Sequence, residues 1–186
     1  MYSIFFPVSA LPVKNLPVLY KPPPIINAVS TTGPVEWAKI FENNRDMTGY
    51  EGAYVPFEGA YTLQQILSKD EYAKLQAAGT QKKPNQKRLM DGELMVKFER
   101  KHKVTRKDGT ELPQAGGAPK VTDADGSPWT EDMGLIGNGS TAEVTNLITT
   151  FKGQDGKMYS RTSMTAVKII EHKPVEEKVD SNEMGW

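Results

Sequence analysis

The last third of the chain carries the pattern that most limits its fold, two long runs of β-forming residues separated by a tight turn. The runs cover residues 142–152 and 157–171, and the dipeptide Asp155-Gly156 lies between them. Asp-Gly is a preferred pair for a hairpin turn, because its residues tolerate a positive φ. The segment Thr165–Glu171 is rich in β-branched residues, which favour strands. The sequence therefore predicts a long hairpin near the C-terminus of a mainly β protein.

Two glycine-containing turns precede this hairpin. Asp125-Gly126 falls between residues of high β-propensity, and Gly137 and Gly139 flank an asparagine just before Ser140. Glycine reaches backbone angles that a side chain forbids. We therefore predict a chain reversal at the first turn and a sharp kink before the strand that begins at Ser140.

One short helix is predicted over residues 69–78. Ser68 and Glu71 have capping-box spacing, in which each side chain satisfies an exposed amide at the start of a helix. Gly79 suits the position that follows the last helical turn.

Strands are predicted over residues 35–41, 59–63 and 93–101, although the spacing of the first would also suit a helical turn. Residues 93–101 alternate in polarity: Leu94, Val96 and Phe98 share one face, and Lys97 and Lys101 the other. Side chains alternate across a strand, so the apolar set is expected in the core and the lysines outside. Residues 80–85 are expected to be a basic loop, and residues 114–119 a flexible Gly-rich connection.

Composition limits the chemistry that the chain can support. Its 186 residues suit one domain with extensions. It has no cysteine and two histidines, so disulfides, thiolate zinc sites and cysteine nucleophiles are excluded. We expect a protein that is not an enzyme and has no cofactor and no metal.

The formal net charge of zero hides a strong asymmetry. Residues 82–107 contain ten basic and three acidic residues, a net charge of +7. Residues 175–186 contain one basic and four acidic residues, a net charge of −3. A basic middle and an acidic end predict a polyanion site and a segment able to compete for it.

The apolar N-terminus is interrupted by Pro7, Pro12, Pro17 and the run 22–24. Proline breaks a helix, so we expect no membrane span, and the lack of a preceding basic region argues against a signal peptide. Residues 1–34 are predicted to form an extended Pro-rich arm, residues 35–173 the folded domain and residues 174–186 an acidic tail.

Four segments in this order resemble the single-stranded-DNA-binding proteins of tailed phages, the podovirus type in particular. They are Val121–Gly126, Leu135–Ser140, Ala142–Val144 and Ala166–Glu171, and a weaker match reaches back to Trp37. The resemblance implies an OB-fold, a five-stranded Greek-key barrel that binds single strands on its open face. It also implies that an acidic tail with an aromatic end contacts replication partners and occupies the DNA groove when DNA is absent.

Binding of this kind combines phosphate neutralisation with base stacking on aromatic rings. The residues predicted to contact DNA are Lys82, Lys83, Lys87, Arg88, Lys97, Arg100, Lys101, Lys103 and Arg106 for phosphates, and Tyr54, Phe57, Tyr61 and Trp129 for bases. Most of these residues have an alternative role. Trp129 could anchor a loop, and the rings of Tyr54, Phe57 and Tyr61 could plug one end of the barrel. A solvated strand face is the alternative for Lys97, Arg100, Lys101, Lys103 and Arg106. Trp37 and Phe98 are expected in the core.

The tail ends in Met184-Gly185-Trp186. Its predicted partner-binding residues are Glu176, Glu177, Asp180, Glu183 and Trp186, and an ordinary frayed terminus is the alternative. The expected partners are single-stranded DNA and phage replication proteins such as a polymerase or helicase-primase, with a homodimer as a further expectation.

The sequence as a whole predicts a non-catalytic protein that coats single-stranded DNA during phage DNA replication, recombination and repair, in the cytoplasm of the infected cell. The alternative is a β-barrel interaction or virion assembly protein that works through its N-terminal arm and C-terminal tail.

Overall fold

The computed structural model of the protein describes residues 23–85 and 92–175. The elements are β1 (Ile25–Lys39), β2 (Ala60–Leu67), α1 (Lys69–Ala77), β3 (Leu94–Lys101), β4 (Lys120–Thr122), β5 (Ser140–Lys152) and β6 (Met158–Glu171), with short 3-10 turns at Tyr50–Gly52, Val55–Phe57, Pro113–Ala115 and Glu131–Met133. The strands form one sheet in the order β3-β2-β1-β5-β6-β4. Neighbouring strands are antiparallel except β4 and β6. No helix in these two ranges is long and apolar enough to cross a membrane.

The predicted C-terminal hairpin is confirmed as β5 and β6. Their antiparallel register runs from Thr141 opposite Glu171 to Lys152 opposite Met158. Along β5, Ala142, Val144 and Ile148 are fully buried, while the alternate residues are more exposed. Because successive side chains of a strand point to opposite faces, one face of the hairpin lies in the core and the other face lies outside it.

The core lies on the inner face of the curved sheet. It includes Val35 of β1, Leu63 of β2, Val96 and Phe98 of β3, and Met164 of β6, each no more than 1% exposed. Phe98 is therefore a core residue, as its position in the alternating strand predicts.

A buried polar group joins three of the strands. The amide of Gln65 on β2 accepts from Thr31 Oγ1 of β1 at 2.7 Å, and donates to the carbonyl oxygens of Thr31 and of Ala142 on β5, both at 3.0 Å. Because buried polar groups need partners, these bonds fix how β1, β2 and β5 pack.

The sheet curls until β3 and β6 approach each other, but residues 80–85 lie between these two strands. Gln81 Nε2 donates to the carbonyl of Met158 on β6 and its Oε1 accepts from the amide of Ser160, both at 3.2 Å. At the other end, the amide of Asn85 donates to the carbonyl of Met95 on β3 at 2.7 Å. The architecture is mainly β and OB-like, as predicted. The sheet nevertheless has six strands where five were expected, and within the described ranges β3 and β6 are not paired as strands.

The predicted helix is confirmed as α1. Ser68 Oγ accepts from the amide of Glu71 at 3.2 Å, which is one half of the predicted capping box. The carboxylate of Glu71 accepts instead from the amide of Thr32 and from Lys74. Gly79 follows the last turn with a φ of 94°, in the left-handed conformation that glycine adopts at little cost.

The first strand differs from the prediction in two ways. β1 begins at Ile25 and pairs with β5 from there onward, so residues 25–34, which were assigned to the arm, belong to the sheet. The prediction that Trp37 lies in the core was wrong, because its side chain is 58% exposed. The register shifts between Glu36 and Lys39, and Trp37 takes a φ of 53° at this bulge. The bulge turns the ring outward.

Candidate nucleic-acid interface

The outward face of β3 carries Lys97, Glu99 and Lys101, and a loop with two aromatic rings packs beside it. Lys101 Nζ lies 3.5 Å from the centroid of the Phe57 ring, and Lys97 Nζ lies 5.3 Å from that of Tyr54. Cation–π attraction holds ammonium groups at such rings. This arrangement brings together four of the residues predicted to contact DNA, Tyr54, Phe57, Lys97 and Lys101.

The loop is held in place by Tyr54. Its hydroxyl donates to Glu99 Oε2 at 2.7 Å, and its side chain is almost buried, at 6% exposure. Burial, together with the bond to Glu99, raises the pKa of Tyr54 well above its ordinary value, so the hydroxyl remains a donor at neutral pH. A Cβ at Gly49 would lie 2.5 Å from this ring, which explains the glycine. Phe57 is the more accessible of the two rings.

Lys82 and Arg161 lie near Glu99 of β3. Both line a surface cavity of about 270 Å³, with Glu99 at its β3 side and Ser160 and Thr162 at its β6 side. Lys82 is positioned by the segment that lies between β3 and β6, where Thr80 Oγ1 and Thr162 Oγ1 are hydrogen-bonded at 2.8 Å. The predicted basic loop is thereby brought next to the predicted basic strand. We call the surface formed by Lys82, Lys97, Lys101 and Arg161, together with the ring of Phe57, the cationic groove.

Positive charges lie close together in this groove, with the carboxylate of Glu99 among them. Burial lowers the pKa values of Arg100 and Lys101, and the neighbouring positive charge of Arg161 lowers both further. Within residues 23–85 and 92–175, no carboxylate oxygen lies within 4.0 Å of the charged nitrogens of the groove's four cations. Like charges held close together favour the binding of an anion between them.

Two of the predicted phosphate contacts are engaged elsewhere. Arg100 donates from Nε to the carbonyl of Gly117 at 2.9 Å, and from Nη2 to those of Gly116 at 2.6 Å and Gln114 at 3.2 Å. Lys103 forms an exposed ion pair with Glu58 at 3.0 Å. Lys83 and Arg106 are exposed. Lys87 and Arg88 lie outside the described residues, as do all five predicted residues of the tail.

Two of the predicted stacking residues are packed within the fold. Tyr61 is 1% exposed, and its hydroxyl is hydrogen-bonded to Glu42 and to His102 Nδ1. Trp129 donates from Nε1 to the carbonyl of Gly134 at 3.0 Å, and its ring contacts His172 with centroids 4.8 Å apart. Both placements agree with the packing alternatives, and neither ring borders the cationic groove.

The sequence analysis missed the contribution of the terminal hairpin to this surface. On the outward face of β5 and β6, Thr149 pairs with Arg161 and Phe151 with Tyr159. The rings of Phe151 and Tyr159 are stacked, with centroids 6.0 Å apart and an interplanar angle of 24°, and are 38% and 41% exposed. The available signal was the strand alternation, which places these four residues on the face opposite the buried one.

No group of three or more histidine or acidic side chains suited to a metal ion occurs in the described part of the chain. No protein-family model and no curated protein matches the chain. Among solved structures it is similar to gp2.5, a single-stranded DNA binding protein encoded by bacteriophage T7, with a TM-score of 0.50 and 16% sequence identity. The match covers 86% of this chain and 98% of that one. At this identity the likeness shows a shared fold.

Proposed function

We propose that this protein is a non-catalytic single-stranded-DNA-binding protein that coats unpaired strands in the cationic groove. The observation that carries the proposal is that four cations from three chain segments, none with a carboxylate oxygen within 4.0 Å in the described ranges, lie near the half-buried ring of Phe57. The likeness in fold to a phage single-stranded DNA binding protein supports the same conclusion.

The groove offers both interactions that such binding needs. The four cations of the groove can neutralise successive phosphates, which releases condensed counterions. Phe57 can stack a base. Because Lys101 Nζ lies 3.5 Å from that ring, stacking requires the ammonium to leave the ring, and a neighbouring phosphate gives it a new partner.

Glu99 lies between the two lysines of β3 and accepts a hydrogen bond from the hydroxyl of Tyr54. It weakens the positive potential at the centre of the groove and fixes the loop that carries Phe57. We infer that its role is to position this ring and that the flanking lysines hold the DNA.

The resemblance in sequence and the likeness in fold support a proposal about the wider biological role. We propose that the protein acts in phage DNA replication, recombination and repair in the infected cell, and that its acidic end contacts replication proteins. Non-specific stacking and phosphate contacts give little base preference over most of the bound strand.

Fluorescence anisotropy with labelled oligo-dT tests the proposal, with duplex DNA and single-stranded RNA as competitors. We expect tight, salt-sensitive binding that duplex DNA does not displace. The charge reversals Lys97→Glu and Arg161→Glu should each weaken binding at least about tenfold, since each replaces an attraction with a repulsion. Lys120→Glu, an exposed residue on β4, is the matched control and should bind nearly as the wild type does. If the wild type does not bind oligo-dT at low salt, the proposed function is wrong.

A further inference from the structure

A second surface cavity adjoins the cationic groove on the outward face of the terminal hairpin. It has a volume of about 270 Å³ and shares Arg161 with the groove. Its floor is formed by Leu147 and Thr149 of β5 and by Ser163 of β6, and its wall by Leu112, Gln114 and Ala115. Two cross-strand pairs, Leu147 with Ser163 and Thr149 with Arg161, set the spacing of the floor.

The wall of this cavity is tied down by Arg100. The guanidinium donates to three carbonyl oxygens between Gln114 and Gly117. The amide of Gly117 also donates to the carbonyl of His102 at 2.6 Å. A Cβ at Gly116 would lie 2.8 Å from that same carbonyl oxygen, so the close approach requires glycine. The cavity is therefore part of the folded structure rather than a gap beneath a loose loop.

The lining suits a flat ring with polar edges. Leu112, Ala115 and Leu147 supply apolar contacts, and Gln114, Thr149 and Ser163 carry amide or hydroxyl groups. A nucleobase has two apolar faces and an edge of hydrogen-bond donors and acceptors. The volume lies just below the range of about 300–1,000 Å³ usual for sites of drug-sized ligands, which suits a single base and its sugar.

Arg161 provides the phosphate contact at the mouth of the cavity. It is exposed, lines both this cavity and the groove, and has no carboxylate partner within 4.0 Å in the described ranges. Arginine binds phosphate through a planar fork of donors. A phosphate held there leaves the attached base beside the cavity.

We propose that this cavity is a base-binding subsite, which takes one unpaired nucleobase of the bound strand while Arg161 holds its phosphate. The proposal rests on the proposed function and deepens it. At this one position Gln114, Thr149 and Ser163 can read the edge of the base, so base identity affects affinity here and not along the rest of the strand. A base in a duplex cannot enter, because its edge is paired.

The test is to fill the cavity without removing a charge. Ser163→Phe places a ring on its floor, and Thr141→Phe makes the same change on the outward face of β5 outside the cavity. For Ser163→Phe we expect affinity for oligo-dT to fall at least about fivefold, because the base loses its apolar and hydrogen-bonding contacts in the cavity. The salt dependence should be unchanged, because the phosphate contacts remain. Thr141→Phe should bind within about twofold of the wild type.

The outcomes separate the two proposals. If the wild type binds oligo-dT and Ser163→Phe binds equally well, the subsite is wrong and the proposed function stands. A weaker affinity with a shallower salt dependence would also overturn the subsite, since the ring would then have displaced phosphate contacts. If the wild type binds no single strand, both proposals fall.

If circular dichroism shows that Ser163→Phe does not fold, a second variant tests the base-binding subsite. Gln114→Ala keeps the backbone carbonyl that Arg100 binds and removes only the side-chain amide. We expect the wild type to discriminate among dT, dC and dA homopolymers and Gln114→Ala to discriminate less, because one of the three side chains that read the base edge is lost. Equal discrimination by both proteins would overturn the subsite.

Discussion

Replacing Lys101 by alanine should lower the salt dependence of DNA binding by a calculable amount. Each phosphate neutralised on a single strand contributes about −0.7 to the slope of log K against log salt. The four cations of the groove therefore predict a slope of about −2.8, and Lys101→Ala should give about −2.1. Between 50 and 200 mM salt, the affinity of the wild type should fall about 50-fold and that of the variant about 18-fold.

The assay is anisotropy with labelled oligo-dT at four or more salt concentrations, because the slope and not the affinity is the quantity predicted. Lys101 also contacts the Phe57 ring, so its loss changes stacking by an amount that is largely independent of salt. Lys120→Ala is the control and should retain the slope of the wild type. An unchanged slope in Lys101→Ala would refute the assignment of Lys101 as a phosphate contact, whatever the change in affinity.

Three further predictions concern the stability of the fold. Phe98→Ala should lower the free energy of unfolding by about 3–5 kcal/mol in urea denaturation, because the ring is fully buried; a loss below 1 kcal/mol would mean that the core is not packed as described. Trp37→Gly should be more stable than Trp37→Ala by about 1 kcal/mol, since a φ of 53° favours glycine, and equal stabilities would show that the bulge relaxes. The third prediction concerns Glu71, whose pKa is lowered by a hydrogen bond from Lys74 and by one from the amide of Thr32. Partial burial raises this pKa by less than the bonds lower it. The stabilisation by Glu71 should therefore be present above about pH 4.5 and be lost as the pH falls through the lowered pKa, so Glu71→Gln should be destabilising at pH 7 and progressively less so as the pH is lowered below about 4.5.

The sequence was enough to predict those structural features that depend only on residues close together in the chain. The hairpin turn at Asp155-Gly156, the capped start of α1 at Ser68 and the alternating faces of β3 all follow from short-range backbone and side-chain preferences. The burial of Phe98 follows as well, because a residue on the apolar face of a strand has to lie in the core.

Trp37 and the arm boundary depended on pairing that the local sequence does not encode. The proline-rich composition before residue 35 suggested an extended arm, yet β5 provides a partner for β1 from Ile25 onward. The ring of Trp37 points outward because the register of β1 shifts, and Asn138 Oδ1 accepts from the Trp37 amide at 2.8 Å. The pairing with β5 and the bond to Asn138 each join residues more than 100 positions apart, and the register shift forms against β2, so none of these contacts is local in sequence.

Sequence alone determined the kind of protein, a mainly β domain with one capped helix and a positively charged middle, because turns, caps, strand alternation and charge are properties of short segments. The tertiary structure decided which charges work together. Arg100 belongs to the basic run, but its guanidinium donates to backbone carbonyl oxygens of the loop that forms the cavity wall. Arg161 lies outside that run, on β6, and yet shares one groove with Lys82 and Lys101. The physical reason is that a binding surface depends on distances between atoms in space, and these are set only when the sheet curls and brings β6 beside β3.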